Sequence, residues 1–235
     1  MKYTKHIAFI FFTLGLLSSC KKETETVDVG YGYFPSTQKH YVIYQVDSAY
    51  YDTFNSEIDS FSYQVKEIIE SEILDNAGRK TLRLERYIRD NANDSWEIKD
   101  VWVANKNNNN VEKTEENVKF VKLVFPVKES TKWNGNMYNT FGEQEYKYKD
   151  LHKSLTISGY TFDSTLTVVQ IADSSLIEKK FQYEIYAKNV GMIYKKYVDV
   201  KDQSSEIDFS LPFSKRIDNG VDYSYQIIEY GIETP

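Results

Sequence analysis

Phe61-Ser62-Tyr63-Gln64-Val65-Lys66-Glu67-Ile68-Ile69-Glu70-Ser71-Glu72-Ile73-Leu74 is the stretch on which the fold turns. Phe61, Tyr63, Val65, Ile69 and Ile73 occupy odd positions, with Ser62, Gln64, Lys66, Glu70 and Glu72 between them, which is the period of a half-buried strand. A helix would also gather Phe61, Val65, Ile68 and Ile69 on one face. The strand reading fits the flanks better. Asp75-Asn76-Ala77-Gly78 is a turn signal, and Thr81 to Arg89 alternates as a return strand, with Leu82, Leu84 and Ile88 on one side and Arg83, Glu85, Tyr87 and Arg89 on the other.

The same rhythm continues outward. Upstream, Val42, Tyr44 and Val46 alternate within Tyr41 to Ser48. Downstream, Trp96 to Ala104 places Trp96, Ile98 and Trp102 on one face, and the asparagine run from Asn105 to Asn110 reads as a solvated turn or a polar ligand loop. Val118 to Val127 is almost continuously apolar, the pattern of a central strand covered on both faces, and Pro126 marks its end. Glu143 to Leu151 is charged and reads as a helical turn or an edge. Strands are expected at Leu155 to Phe162, Thr165 to Ala172, Phe181 to Ala187, Met192 to Val200, Ile207 to Phe213 and Val221 to Tyr230, with turns at Asn189-Val190-Gly191 and Asp218-Asn219-Gly220. The expectation is an all-β chain of about ten strands with no long helix.

Thr131 to Tyr138 breaks the alternation. Asn134-Gly135 favours a turn with positive φ, and Trp133 beside it is large to leave exposed. Two readings stand. Trp133, Asn134 and Asn136, with Trp102 elsewhere, make an aromatic face flanked by amides, the equipment a sugar ring needs; or Trp133 pins a turn to the core.

The N-terminus follows different rules. After Lys2 and Lys5, Ile7 to Leu17 is apolar apart from Thr13 and Gly15, the layout of a secretory signal. Eleven helical residues rise about 16 Å, too short for a hydrocarbon core of about 30 Å. Leu17-Ser18-Ser19-Cys20 closes the run and resembles the bacterial lipoprotein box, in which the cysteine is acylated and becomes the first mature residue. A plain secretory signal with a chance cysteine is the other reading. The resemblance implies a diacylglyceryl thioether on Cys20 and a third acyl chain on its amino group. Each buried CH₂ contributes about 0.8 kcal/mol, and two or more chains hold stably. Lys21-Lys22-Glu23, with Glu25, is similar to the export signal of Bacteroidota lipoproteins that reach the outer face of the outer membrane; a solvated charged tether reads the same way. The expected organisation is a signal peptide at 1–19, a lipidated flexible tether at 20–29 and a single β domain at 30–235.

Trp133-Asn134-Gly135-Asn136, Tyr186-Ala187-Lys188-Asn189-Val190-Gly191-Met192-Ile193-Tyr194 and Asp163-Ser164-Thr165-Leu166-Thr167-Val168 resemble motifs recurring in uncharacterised Bacteroidota outer-membrane lipoproteins. The resemblance covers most of the mature chain and carries no known activity. It implies a single strongly curved antiparallel sheet, a barrel or half-barrel, a shape that hides the edges and apolar face of a large sheet.

Composition excludes several functions. Without residues 1–19 the chain has 27 Lys and Arg against 35 acids, a net charge near −8, which does not suit nucleic acid. Cys20 is the only cysteine, so its acylation leaves no thiol for a disulfide, a nucleophile or a metal. His40 and His152, the two mature histidines, form no His-Glu-x-x-His pair and read as surface or loop residues. There is no Gly-x-Ser-x-Gly elbow, phosphate-cradling glycine loop or Asp-x-Asp-x-Asp-Gly calcium loop. The carboxylates are plentiful enough that only their placement in space would reveal a glycosidase pair. No catalytic residue, metal or cofactor is therefore expected. The expected function is that of a non-enzymatic lipoprotein, anchored in the outer membrane through Cys20, whose curved sheet binds an apolar or amphipathic small molecule or a partner protein. The alternatives are a surface glycan-binding lipoprotein working in nutrient uptake and a structural envelope protein without a ligand.

Overall fold

The computed structural model describes residues 28–52, 57–204 and 206–234. The expected signal peptide, Cys20 and nearly all of the expected tether lie outside the described residues. Twelve strands follow one another: β1 (His40–Asp52), β2 (Glu57–Leu74), β3 (Lys80–Arg89), β4 (Glu97–Lys106), β5 (Asn110–Glu115), β6 (Val118–Val124), β7 (Lys132–Asn134), β8 (Glu145–Ile157), β9 (Tyr160–Ser174), β10 (Glu178–Ala187), β11 (Gly191–Lys201) and β12 (Asn219–Ile232). All lie in one antiparallel sheet of order β6-β5-β4-β3-β2-β1-β12-β11-β10-β9-β8-β7. Two meanders, β1 to β6 and β7 to β12, are thus joined through the pairing of β1 with β12, and the middle of the chain supplies both edges.

The sheet curls until those edges nearly meet. The Val121 N–H donates to the Gly135 carbonyl at 2.9 Å. The Trp133 indole N–H donates to the Val121 carbonyl at 2.8 Å. The Tyr148 hydroxyl accepts from the Val124 N–H and donates to the Val124 carbonyl, both at 2.8 Å. Asn139 Nδ2 donates to the Lys119 carbonyl at 2.9 Å. Side chains and one turn carbonyl therefore satisfy the edge of β6 where a ladder would otherwise do so, which is how a large sheet avoids an open edge.

Inside, Val42, Tyr44, Val46, Val65, Ile193 and Ile227 form one buried cluster, Val111, Val121, Leu123, Trp133, Tyr148, Leu166 and Val168 a second, and Ile69, Leu82, Leu84 and Ala104 a third. Phe61 to Leu74 is strand throughout, inside β2, and Gly78 makes the turn to β3 at φ 73°. Asn189 and Gly191 turn β10 into β11 at φ 65° and 95°.

Several expectations are corrected. Val118 to Val127 is not a central strand: β6 ends at Val124 and lies at the sheet edge, and Val121, Lys122 and Leu123 are buried in succession because the seam covers them. The asparagine run hides a hairpin, with β5 beginning at Asn110. Leu155 to Phe162 is not one strand, because Ser158 and Gly159, at φ 52° and 82°, turn β8 into β9 within it. Ile207 to Phe213 forms no strand; the segment leads into a 3₁₀ turn at Phe213–Lys215 and wraps Arg216, which pairs with the buried Asp202. Gly135 does not adopt positive φ. It is small for another reason: a Cβ there would lie 2.3 Å from the Tyr146 ring. Trp96, Ile98 and Trp102 do not share a face, since a bulge sets Ile98 opposite Tyr87 and Trp102 opposite Leu84, on the two sides of β3.

Candidate functional site

The interior of the barrel carries a charged network. Glu67 sits on the apolar stripe between Val65 and Ile69, and Arg86 on that between Leu84 and Ile88; the two pair across β2 and β3. Arg86 lies 3.0 Å from Asp100, and Lys113 Nζ lies 2.9 Å from Glu67. Lys122 Nζ reaches Glu184 at 2.5 Å and Glu115 at 3.5 Å. Lys195 stands 3.9 Å from Glu184, whose other oxygen accepts the Tyr186 hydroxyl at 2.7 Å. Burial by itself would push the Glu115 and Glu184 carboxyls up, but Lys122 and Lys195 outweigh it and hold both below the ordinary carboxylate range. Burial likewise works against the Lys122 ammonium, and Glu115 and Glu184 reverse it, so Lys122 is held above the usual lysine range. These are charged groups that satisfy one another, the arrangement under which buried charges persist.

Little space remains beside them. One interior cavity holds about 50 Å³ and is lined by Phe34, His40, Tyr44, Tyr186, Val190 and Met192 among others. A second holds about 20 Å³, between Trp102, Arg86, Glu184 and Lys195. Small-molecule sites run from about 300 Å³ upward.

Each residue singled out in the sequence can now be placed. Trp133 is buried, its indole 4.6 Å from the Tyr148 ring and 6.0 Å from the Tyr146 ring, so it does not offer a free face to a sugar. The Asn134 side-chain oxygen accepts from the Asn136 and Gln144 N–H groups, and Asn136 Nδ2 donates to the Gly142 carbonyl; both amides shape their own loop. Trp102 turns toward the interior, with the Arg86 guanidinium 3.6 Å and the Lys113 ammonium 4.7 Å from its ring centre. The structure therefore brings Trp133, Asn134 and Asn136 together as the latch of the seam and leaves Trp102 apart. His40, read as a surface or loop residue, is buried between the Gly231 and Val190 carbonyls, at 3.1 and 2.9 Å. His152 is exposed, 3.1 Å from the Tyr33 hydroxyl and 3.3 Å from that of Ser164.

The larger spaces are outside. An open groove of about 500 Å³ crosses β12, β1, β2 and β3, lined by Tyr41, Lys66, Arg89, Trp96, Glu229 and Glu233. Arg89 stacks 4.1 Å from the Trp96 ring centre and donates from Nε to Gln64 at 2.8 Å, while the Tyr41 hydroxyl donates to Glu229 at 2.7 Å. A cleft of about 300 Å³ lies between the Tyr31 loop, a 3₁₀ turn at Tyr31–Tyr33 that precedes β1, and the β4–β5 turn. Sequence reasoning missed the interior network, although its signal was legible: Glu67 and Arg86 are charges placed in register with apolar stripes. It also chose two tryptophans that pack inward and passed over Trp96, which flanks the open groove.

No family model and no curated protein matches the chain. Among solved structures, similarity extends to a protein described as exported, with a YmcC-like fold, from Bacteroides fragilis NCTC 9343, at 12% identity over 84% of this chain and 98% of that one, TM-score 0.42. A protein described as a lipoprotein from Parabacteroides distasonis ATCC 8503 is similar at 12% identity over 85% of this chain and 98% of that one, TM-score 0.40. Likeness this distant says nothing about residues or activity.

Proposed function

We propose that this chain is an envelope protein held to the outer membrane by acyl chains on Cys20, and that its body works by binding at its outer surface and not by catalysis. The observation that carries the reading is the packed interior: the interior cavities of about 50 and 20 Å³ are each far smaller than a small-molecule site. On this reading a partner is met on the outside. The lipoprotein-like Leu17-Ser18-Ser19-Cys20 supports the anchor. Metabolic labelling with an alkyne palmitate analogue, followed by membrane fractionation, tests it. The native protein takes the label and sediments with outer membranes, and Cys20→Ala does neither; an unlabelled native protein in the medium ends the proposal. For the body, a fluorescent fatty-acid probe should show no saturable binding.

A second reading, glycan binding, is favoured by the outer groove, where Trp96 and Tyr41 supply aromatic faces beside Arg89, Lys66, Glu229 and Glu233. On a glycan array, binding lost in Trp96→Ala and kept in Trp133→Phe supports it. No retention of any sugar at millimolar concentration removes it.

A further inference from the structure

Among the described residues, the cations whose side chains are buried have carboxylate partners. Arg86, Lys113, Lys122 and Arg216 each pair with Asp or Glu. Among the described residues, Lys39, Arg89 and Lys106 are half-buried cations without a carboxylate within ion-pair distance, and Lys39 stands near enough to the Glu85 carboxyl to help hold it down. Arg89 is compensated by the Trp96 face and Gln64. Lys106 has less: its ammonium donates to the Tyr31 carbonyl at 2.8 Å and the Phe34 carbonyl at 2.7 Å, neutral acceptors both, and lies 5.9 Å from the Tyr31 ring centre, at the outer reach of a cation–π contact. Burial alone acts on it, lowering its affinity for the proton. A desolvated ammonium without a counter-charge is an unfavourable placement unless an anion completes it.

The surroundings supply the rest of a site. Lys106 lines the 300 Å³ cleft together with Tyr31, Ser36, Leu82, Asn107 and Asn108. The turn is pre-shaped, because Asn107 Oδ1 accepts from the Asn109 and Asn110 N–H groups and the Tyr31 hydroxyl donates to the Asn108 carbonyl. The Asn108 side-chain amide makes no hydrogen bond among the described residues and is a free donor at the rim. The one carboxylate in the cleft, Glu72, is held by Lys80 at 2.9 Å. Two of the three Lys106 donors are used, leaving a single point charge, which suits one oxygen of a tetrahedral phosphate better than the paired oxygens of a carboxylate that an arginine fork would match.

We propose that this cleft binds the phosphate group of a phosphate ester, with Lys106 supplying the charge and Asn108 and Ser36 supplying hydrogen bonds. Two sources share that chemistry. The described chain begins at Asp28, which pairs with Lys188 beside the β10–β11 turn, at the end of the barrel where β4 also finishes. Eight residues from Cys20 to Asp28 span at most about 28 Å. If the Cys20 anchor holds, the cleft lies at the membrane-facing end and the ester is a lipid headgroup; a soluble sugar or glycerol phosphate is the other source.

Calorimetric titration of the detergent-solubilised protein with inorganic phosphate, glycerol 1-phosphate and dihexanoyl phosphatidylglycerol tests this. Saturable binding of phosphate and glycerol 1-phosphate, weakened at least tenfold in Lys106→Met, is expected. Tighter binding of the short-chain lipid than of glycerol 1-phosphate assigns the headgroup, and the reverse order assigns the soluble ester. Lys106→Met should lose the phosphate-induced rise in Tm seen in the native protein, whatever its own Tm in buffer. No heat from any of the three probes in the native protein overturns the proposal and makes Lys106 a strut for the Tyr31 loop. The test is independent of acylation, so a failed anchor would not be mistaken for an empty cleft.

Discussion

Trp133 shows how a residue that invites a binding role can be taken up by the fold. Its indole N–H meets the Val121 carbonyl, and its ring packs on Tyr146 and Tyr148. Trp133→Phe removes the donor and leaves that carbonyl buried without it, so urea denaturation should show a loss of about 1–3 kcal/mol. Gly135 next to it is required by contact and not by φ. Gly135→Ala drives a methyl into the Tyr146 ring and should cost a further 1–3 kcal/mol or so, partly recovered by a second change of Tyr146→Leu. In the interior, Lys122→Met strips Glu184 and Glu115 of their nearest cation. A loss of about 3–5 kcal/mol is expected, while the paired change Lys122→Met with Glu184→Leu should cost much less, because a buried charge is expensive chiefly when its partner is missing.

Among the elements, the weakest junction is the one between β6 and β7. β1 and β12 pair along their length from His40 with Ile232 to Tyr51 with Gly220, whereas the seam hangs on Trp133, Tyr148, Asn139 and one turn carbonyl. Local opening selects the region with the fewest cooperative bonds. Hydrogen exchange should find the β6 amides Val121 and Val124 opening well before those of β1. Tyr148→Phe should accelerate Val124 exchange while leaving the β1–β12 ladder unchanged; equal acceleration throughout would mean that the seam opens only with global unfolding. The Trp133-Asn134-Gly135-Asn136 motif gains its meaning at this scale, as the clasp of a nearly closed barrel.

For the whole molecule, the ionisable interior sets a stability window. Glu115 and Glu184 have folded-state values below their ordinary ones, so their contribution is present above about pH 4.3, the unfolded carboxylate value, and is lost as pH falls below it toward the folded values. Lys122 and Lys195 are raised, so their contribution is complete below about pH 10.4 and is lost as pH climbs past it. Burial also raises the hydroxyls of Tyr44, Tyr146 and Tyr186, Tyr146 to about 12, which adds to the loss above about pH 10. Calorimetric Tm should be flat between about pH 5 and 9.5 and fall on both sides. A Tm that kept rising above pH 10 would contradict the charged interior.

The sequence alone determined the strand class and most of the hairpins, because alternation and turn chemistry are local: Val65 and Ile69 on one stripe, and the left-handed turns at Gly78, Asn189 and Gly191, need only near neighbours. It could not reveal which strand is an edge, why Gly135 is glycine or where the tryptophans point. Each of those depends on partners far along the chain, as when β1 is held to residues near 231 and β6 to a loop beyond its own end. The candidate site divided along the same line. Residue types with binding potential were legible in Trp133, Asn134, Asn136 and Trp102, but whether an aromatic face meets solvent or a buried tyrosine is decided by the closure of the sheet. That closure is driven by burying apolar area and satisfying edge hydrogen bonds over the whole molecule at once.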